Sequence, residues 1–467
     1  MEIQLKKSDY LWGYVAFIFR YGNTMLILPL LLRYLPTETF AIAALFAYIT
    51  TFTALFDLGF TPCIARQFAF AYSGVKALQH EGVGDVTSSG EINYVLLRAL
   101  IDTSRKIYAI IAGVTLLTLS VGGTFYLWEV LQHKQREELF WEILPIWGLF
   151  IASTVLGIFY KYLAALMEGR GGIGILNKQS VLIGFCVVVL SFVTLRNGWG
   201  LYGTTFSGFV GLVASRYLCH RFLFDKEIVR KLKEASEAAS RLKLFPVIWH
   251  NAKKLGINSV GVFLINQMGG LLGGLYLTLA ETASLLLTLQ AFSVINIASN
   301  IYFNTSMPRF ASLFARRSNE ILKREFLRSM LLGTFIFLCG LAALLFLGPV
   351  VITWWKSKTI LLGPLAIGLY GVAFFMEGIH GRCAAFITIR NIVPFVWAGL
   401  LTGLGNLALS IVFLKVTSLG VIAFPLALII AHAVYNFWRW PVWVVRNFQI
   451  RLGDFSPKKL LGLTPGG

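Results

Sequence analysis

The residues best placed to do chemistry in this chain are charges in apolar company. Arg20 stands between the uncharged runs Leu11 to Phe19 and Tyr21 to Leu32. A membrane helix entering near Tyr10 carries that guanidinium about 15 Å deep. A charge at such depth costs roughly 2.5 to 3.5 kcal/mol and persists where it faces a polar cavity or a partner. The expectation is a cavity that accepts something negative; snorkelling to the surface, or pairing with a carboxylate, is the other reading. Further charges lie in or beside apolar segments: Asp57, Arg66, Lys161, Glu168 and Arg216, then Arg309, Glu377, Arg382, His432 and Arg439. Lys161 and Glu168 are seven residues apart, about two helical turns, and share one helix face.

Other chemistries find little footing. Gly169 to Gly174 reads Gly-Arg-Gly-Gly-Ile-Gly, the form of a dinucleotide fingerprint. That motif works between a strand and a helix, whereas here it joins two apolar helices, so a glycine turn is the reading. His80, Glu81 and Asp85 lack a second His or Cys at ligand spacing, and no metal is expected. No Gly-x-Ser-x-Gly elbow occurs, and no catalytic residue is assigned.

The elements that must position these charges are membrane helices. The chain is 57% hydrophobic and 13% charged, more apolar than a soluble chain of 467 residues requires. Spans are predicted at about 10–35, 38–62, 106–128, 144–167, 177–195, 199–222, 254–279, 282–308, 329–355, 359–377, 392–414 and 418–440. Outer loops then hold only Arg33, Lys134, Arg136, Arg196, Lys356, Lys358 and Lys415 of the 41 Lys and Arg, which predicts both termini in the cytoplasm. The same asymmetry explains the net charge of +19 without nucleic acid. Five cysteines imply no disulfide framework.

The fold class expected is an all-α integral membrane protein with twelve transmembrane helices in two six-helix lobes. Residues 1–224 form the first lobe and 245–467 the second, the latter with a short cytoplasmic tail. Between them, residues 225–244 place Ile228, Leu232, Ala235, Ala239 and Leu242 at helical spacing among Arg230, Lys231, Lys233 and Arg241, which predicts an amphipathic linker helix. Met167-Glu168-Gly169 recurs as Met376-Glu377-Gly378 at the inner ends of spans four and ten. A shift of 243 residues sets Asn23 against Asn266 and Glu38 against Glu281, yet sets Arg20 against Phe263, so the deep cation belongs to one half. Span seven has no charge but combines Asn266 and Gln267 with Gly256, Gly261, Gly269, Gly270, Gly273 and Gly274. Such a helix bends toward a polar cavity or packs tightly through its small residues.

The segment Leu55-Phe56-Asp57-Leu58-Gly59-Phe60-Thr61-Pro62-Cys63-Ile64-Ala65-Arg66 closely resembles the end of the second helix in Wzx-type polysaccharide flippases, the O-antigen or lipid-linked oligosaccharide flippases of the multidrug/oligosaccharidyl-lipid/polysaccharide (MOP) exporter superfamily. The stretches Leu31 to Glu38, Tyr72-Ser73-Gly74 and Glu168-Gly169 look like the same family. The resemblance implies a V-shaped exporter around a central cavity, in a bacterial cytoplasmic (inner) membrane. It implies an activity rather than a catalysed reaction: undecaprenyl-diphosphate-linked oligosaccharide units move to the outer leaflet by alternating access, for lipopolysaccharide or other surface polysaccharide biosynthesis. Arg20 is then the favoured diphosphate or acidic-sugar contact, with Arg66, Lys161 and Arg216 as further cations, Asn23, Asn266 and Gln267 as hydrogen-bonding partners for sugar hydroxyls, and Asp57, Glu168 and Glu377 as candidates for gating salt bridges or ion coupling. Expected partners are the lipid-linked oligosaccharide, membrane lipids, and polysaccharide polymerase and chain-length proteins, with the transporter itself a monomer. No cofactor is expected, and coupling to an H+ or Na+ gradient is.

Two rivals stand beside this reading. An ion-coupled multidrug antiporter of the same superfamily needs a deep carboxylate for a cationic substrate. A membrane glycan polymerase or ligase needs a large outer loop with catalytic residues, and the longest outer loop predicted is about Glu129 to Ile143.

Overall fold

The structure is a computed structural model that describes residues 27–78, 91–315, 317–390, 392–451, 454 and 456. Its regular elements are helices, and it divides into two compact units, Met1–Ser259 and Val260–Gly467.

In the first unit, α1 covers residues 27–34 and α2 Thr37–Thr53. A 3-10 turn, Ala54–Asp57, leads into α3, Phe60–Tyr72. The sequence predicts one span over 38–62, but Leu58 and Gly59 both adopt the left-handed conformation, with φ of 44° and 73°, and the helix stops there. Gly59 takes that conformation freely, whereas a leucine rarely adopts it. Helices α4, Tyr94–Leu117, and α5, Thr124–Gln132, join through a π turn into one 39-residue span. Asn93 caps α4 by accepting from Leu96 N at 3.0 Å.

Helix α6, Glu137–Phe159, is separated by Tyr160 from α7, Lys161–Gly169. Helices α8, Ile173–Arg196, and α9, Gly200–Leu223, complete the apolar part of the unit. The core gathers Phe60, Ile64, Phe68, Leu100, Tyr108, Leu163 and Leu166. Gly169 is glycine because α3 crosses there: a Cβ would meet the Phe68 Cβ and stand 2.7 Å from the Ala65 carbonyl oxygen. The linker residues form α10, Lys226–Glu234, and α11, Ser236–Ser240, which pack on α4 and bury Leu232, Ala235 and Ala239. Asp225 caps α10, accepting from Ile228 N at 2.8 Å.

Helix α12, Phe245–Asn266, runs through the division between the units. The second unit continues with α13, Met268–Tyr276, and the long α14, Leu279–Ala315. Span seven is broken: its segments Ser259–Asn266 and Met268–Tyr276 meet at 44°. Asn406 donates to the carbonyl oxygens of Leu264 (3.2 Å) and Ile265 (3.5 Å), the last turn before the break. Thr278 and Glu281 cap α14 reciprocally, Thr278 N donating to Glu281 Oε2 (3.0 Å) and Glu281 N to Thr278 Oγ1 (3.2 Å).

Helices α15, Asn319–Phe346, α16, Gly348–Trp354, α17, Pro364–Ile387, α18, Val396–Val416, α19, Ala423–Val434, and α20, Asn436–Asn447, complete the chain. Phe303, Phe310, Phe326, Phe386 and Trp440 form an aromatic core beside the buried Glu325, which pairs with Arg309 and Arg328.

Among the described residues nine helices are long and apolar enough to cross a membrane, and ten if the bent pair counts as one span. Large side chains such as Leu117 (68% exposed) and Val121 (71%) face outward, as a lipid-exposed surface requires. The remaining predicted spans are the first, described only from residue 27, and the sixth, where α9 carries Arg216, His220 and Arg221.

Candidate functional site

The helix break at Leu58 and Gly59 builds one corner of a site. Asp57, at the end of the 3-10 turn, accepts from Thr61 N (3.3 Å) and Thr61 Oγ1 (2.8 Å), so its carboxylate caps the start of α3. Tyr108 of α4 donates to Asp57 Oδ1 at 3.0 Å, and its hydroxyl lies 2.8 Å from Thr61 Oγ1. Lys161, at the first position of α7, places Nζ 3.5 Å from Asp57 Oδ2. The carboxylate side chain is 14% exposed and the lysine 33%, so the pair is partly shielded from water.

Asp57 and Lys161 line a cavity of about 560 Å³ inside the first unit, and Arg216 of α9 is the third charge on its wall. The rest of the wall is hydroxyl and aromatic: Thr50 and Thr53 from α2, Ser153 and Thr154 from α6, Ser191 from α8, Thr204 and Thr205 from α9, with Phe46, Phe150 and Phe209 between them. The threonine hydroxyl hydrogens are spent inside their own helices, as Thr50 donates to Phe46 O (2.9 Å), Thr154 to Phe150 O (2.9 Å) and Thr205 to Leu201 O (3.0 Å). Their oxygens remain as acceptors.

Ser153 and Ser191 have buried hydroxyls without a protein partner among the described residues, and Arg216 Nε is unpartnered too. Phe46 lies tilted at 4.6 Å against Phe150, which stacks on Trp147, whose Nε1 donates to Thr124 Oγ1 at 2.9 Å, so the aromatic side is rigid. The wall thus carries two cations and one carboxylate among hydroxyl oxygens and aromatic rings. Asp57 is engaged by a lysine, a tyrosine and a threonine, while Arg216 has no ion-pair partner among the described residues.

The structure therefore brings Asp57, Lys161 and Arg216 together. Arg66 is exposed on α3 and is not part of the wall; Glu168 is half-buried on α7, two turns beyond Lys161, and is not part of it either. Asn266 and Gln267 lie in the second unit at the break of span seven, where the Asn266 amide donates to Val262 O at 3.2 Å. Arg20, Asn23, His80, Glu81 and Asp85 lie outside the described residues. Sequence reasoning missed Tyr108, Thr61 and the hydroxyl wall. The signal for one side of the wall was present: Leu201, Thr205, Gly208, Leu212 and Arg216 recur at helical spacing on one face of α9.

No protein-family model matches the chain, and no curated protein matches its sequence. Solved structures do. An inward-facing multidrug resistance MATE family transporter of the MOP superfamily superposes with a TM-score of 0.62 at 13% identity, over 94% of this chain and 99% of the other. The chain has the MATE transporter fold. An outward-facing MATE family transporter of the MOP superfamily gives 0.54 at 12% identity over 97% and 98%, and a MATE structure in the bent conformation 0.52 at 13% over 94% and 95%. At such identities the likeness establishes the MATE fold and not the substrate.

Proposed function

We propose that the chain is a multi-pass membrane transporter of the MOP superfamily that works by alternating access. The observation that carries this reading is the MATE fold shared over 94% of the chain. A cavity lined by hydroxyls, aromatic rings and charges inside an apolar helical unit supports it.

Two substrate readings have support of different kinds. An ion-coupled multidrug antiporter is backed by the solved neighbours, two of which bear the words multidrug resistance, and on that ground it stands ahead. A flippase for undecaprenyl-diphosphate-linked oligosaccharide is backed by the segment Leu55 to Arg66 and by the charges: Lys161 and Arg216 on the cavity wall against Asp57, which Lys161 already engages. A cationic drug would have to displace that lysine, whereas a diphosphate or acidic sugar would meet Arg216 directly.

Depletion of the protein in its own host separates the readings. Lipid-linked repeat units accumulating on the inner leaflet support the flippase. Normal surface glycan with new sensitivity to cationic drugs supports the antiporter. A host changed in neither respect, without a redundant transporter, overturns the transporter reading.

A further inference from the structure

Between α4 and α5, residues Thr118–Gly123 form a π turn inside the 39-residue span. A π turn holds one residue more than an α-helical turn, is rare, and recurs at functional sites. Here it is closed by Thr124, whose N–H donates to the Leu119 carbonyl oxygen five residues back. The Thr124 hydroxyl donates to that same oxygen at 3.4 Å and accepts from Trp147 Nε1 of α6 at 2.9 Å. Trp147 is 2% exposed, so its N–H is costly to leave unbonded. Its ring stacks on Phe150 of the cavity wall at 5.2 Å and 17°, and stands 5.2 Å from that of Phe46. The aromatic side of the cavity therefore hangs on one hydroxyl of the π turn.

Two adjacent glycines of the turn differ in their surroundings. A Cβ on Gly123 would stand 2.7 Å from Trp147 Cζ2, so the indole edge lies where a side chain would be. A Cβ on Gly122 would meet nothing within 4 Å, and the φ of Gly122 is not in the left-handed region. Glycine weakens a helix relative to alanine, and nothing in this register calls for it at Gly122. An α-helical turn reaches the same direction with one residue fewer. When the π turn is drawn out into α-helix, Gly122 takes the place that Gly123 holds against Trp147, and Gly123 takes that of Thr124. Both registers then set a glycine against the indole edge, which accounts for the pair. Only the π register offers Trp147 an acceptor.

We propose that the π turn of span three is a register switch that positions Trp147, and through it Phe150 and Phe46, on the cavity wall. In the π register the Thr124 hydroxyl holds the indole, and the aromatic side is set as the structure shows it. In the α register the extra residue moves along α5, the residues it passes turn by about 100°, and Trp147 loses its acceptor. Phe150 and Phe46 then lose the ring they pack on. No covalent bond changes and no group titrates, since the side chains that take part are neutral. Trp147 is a positioning residue in this account: Phe46 and Phe150 line the cavity and it does not. The purpose of the switch, reshaping the cavity during transport, rests on the transporter reading, but the existence of two registers does not.

The test is fluorine NMR of the full chain, labelled with fluorotryptophan, in lipid nanodiscs, with the Trp147 line assigned by its loss in Trp147→Phe. Wild type is expected to show a main line and a second Trp147 environment, as a weak line or as exchange broadening on the μs–ms scale of helix register shifts. Thr124→Val keeps the shape, removes the acceptor and raises the second population about fivefold, as loss of one hydrogen bond would. Gly122→Ala, added to Thr124→Val, abolishes the second environment, because its methyl group would meet Trp147 in the α register. Gly113→Ala in its place, on α4 with the same open space at its Cβ, brings the same gain in helix propensity and leaves the second environment intact. One environment in both wild type and Thr124→Val, a second environment that survives Gly122→Ala, or its equal loss in Gly113→Ala overturns the proposal. No substrate is needed, so failure here is distinct from failure of the transporter reading.

Discussion

Lys161 Nζ stands 3.5 Å from Asp57 Oδ2, beside the left-handed break that ends the second span. One carboxylate thus has two tasks: it caps α3 through Thr61 and neutralises a cation on the cavity wall. Asp57→Ala removes both. The expected cost is about 2 kcal/mol, from a lost cap and the lost hydrogen bond from Tyr108. Lys161→Gln, whose side chain is one-third exposed, is expected to cost about 1 kcal/mol or less. Thermal unfolding in detergent checks the order; equal losses would mean that the cap contributes nothing.

Gly169 lies against α3 with no room for a methyl group. Gly169→Ala is expected to destabilise by about 1 to 3 kcal/mol, because the backbone at Ala65 cannot retreat as a side-chain tip could. Gly208, also on the cavity wall, has open space at its Cβ position, so Gly208→Ala is the control and should melt as the wild type does.

Asn406 is expected to hold the break in span seven. Asn406→Leu keeps the branched shape and leaves the Leu264 and Ile265 carbonyls without that donor, at about 1 to 2 kcal/mol. Faster amide exchange in residues 264–270 than in the rest of α13 and α18 is the local signature; uniform change across the unit would speak against it.

The linker offers a pH dependence outside the membrane. Lys231 donates to Glu227 and holds that carboxyl below its ordinary range, while Glu227 raises the lysine. A depressed carboxylate contributes stability above its unfolded pKa and loses it as pH falls through the folded value; the raised lysine contributes below its unfolded pKa and loses it at alkaline pH. Protection of α10 amides should therefore be flat through neutrality and fall below about pH 4. Full protection retained at about pH 2 would remove the pair from the account.

The helices are legible in the sequence because apolar runs of spanning length leave few alternatives, and the bend in span seven is legible in its glycines and amides. The end of the second span is not. Asp57-Leu58-Gly59 turns the chain where apolar continuity through Phe60 suggests one helix, and the signal is an acidic residue two before a glycine. Asp57 and Lys161 each stand out as charges, but their pairing spans 104 residues and depends on how α7 crosses α3 and α4, which periodicity does not encode. Glu38 and Glu281, aligned by sequence, differ in use: one pairs with Arg136 at 2.7 Å and the other caps α14. Tyr108 reads as one more aromatic in a span, and only packing reveals it as a donor to Asp57.

The central claim is that this chain carries a molecule across a membrane, with the first-unit cavity on its path. Its most direct test places the full chain in vesicles and follows two probes in parallel, a fluorescent undecaprenyl-diphosphate disaccharide and a cationic dye, for wild type and for Lys161→Gln/Arg216→Gln. The account predicts that the wild type moves one of the two, and that the double variant alters that rate by about tenfold, as loss of charge-assisted contacts would. Neither probe crossing faster than in protein-free vesicles, or transport identical in wild type and double variant, would contradict it.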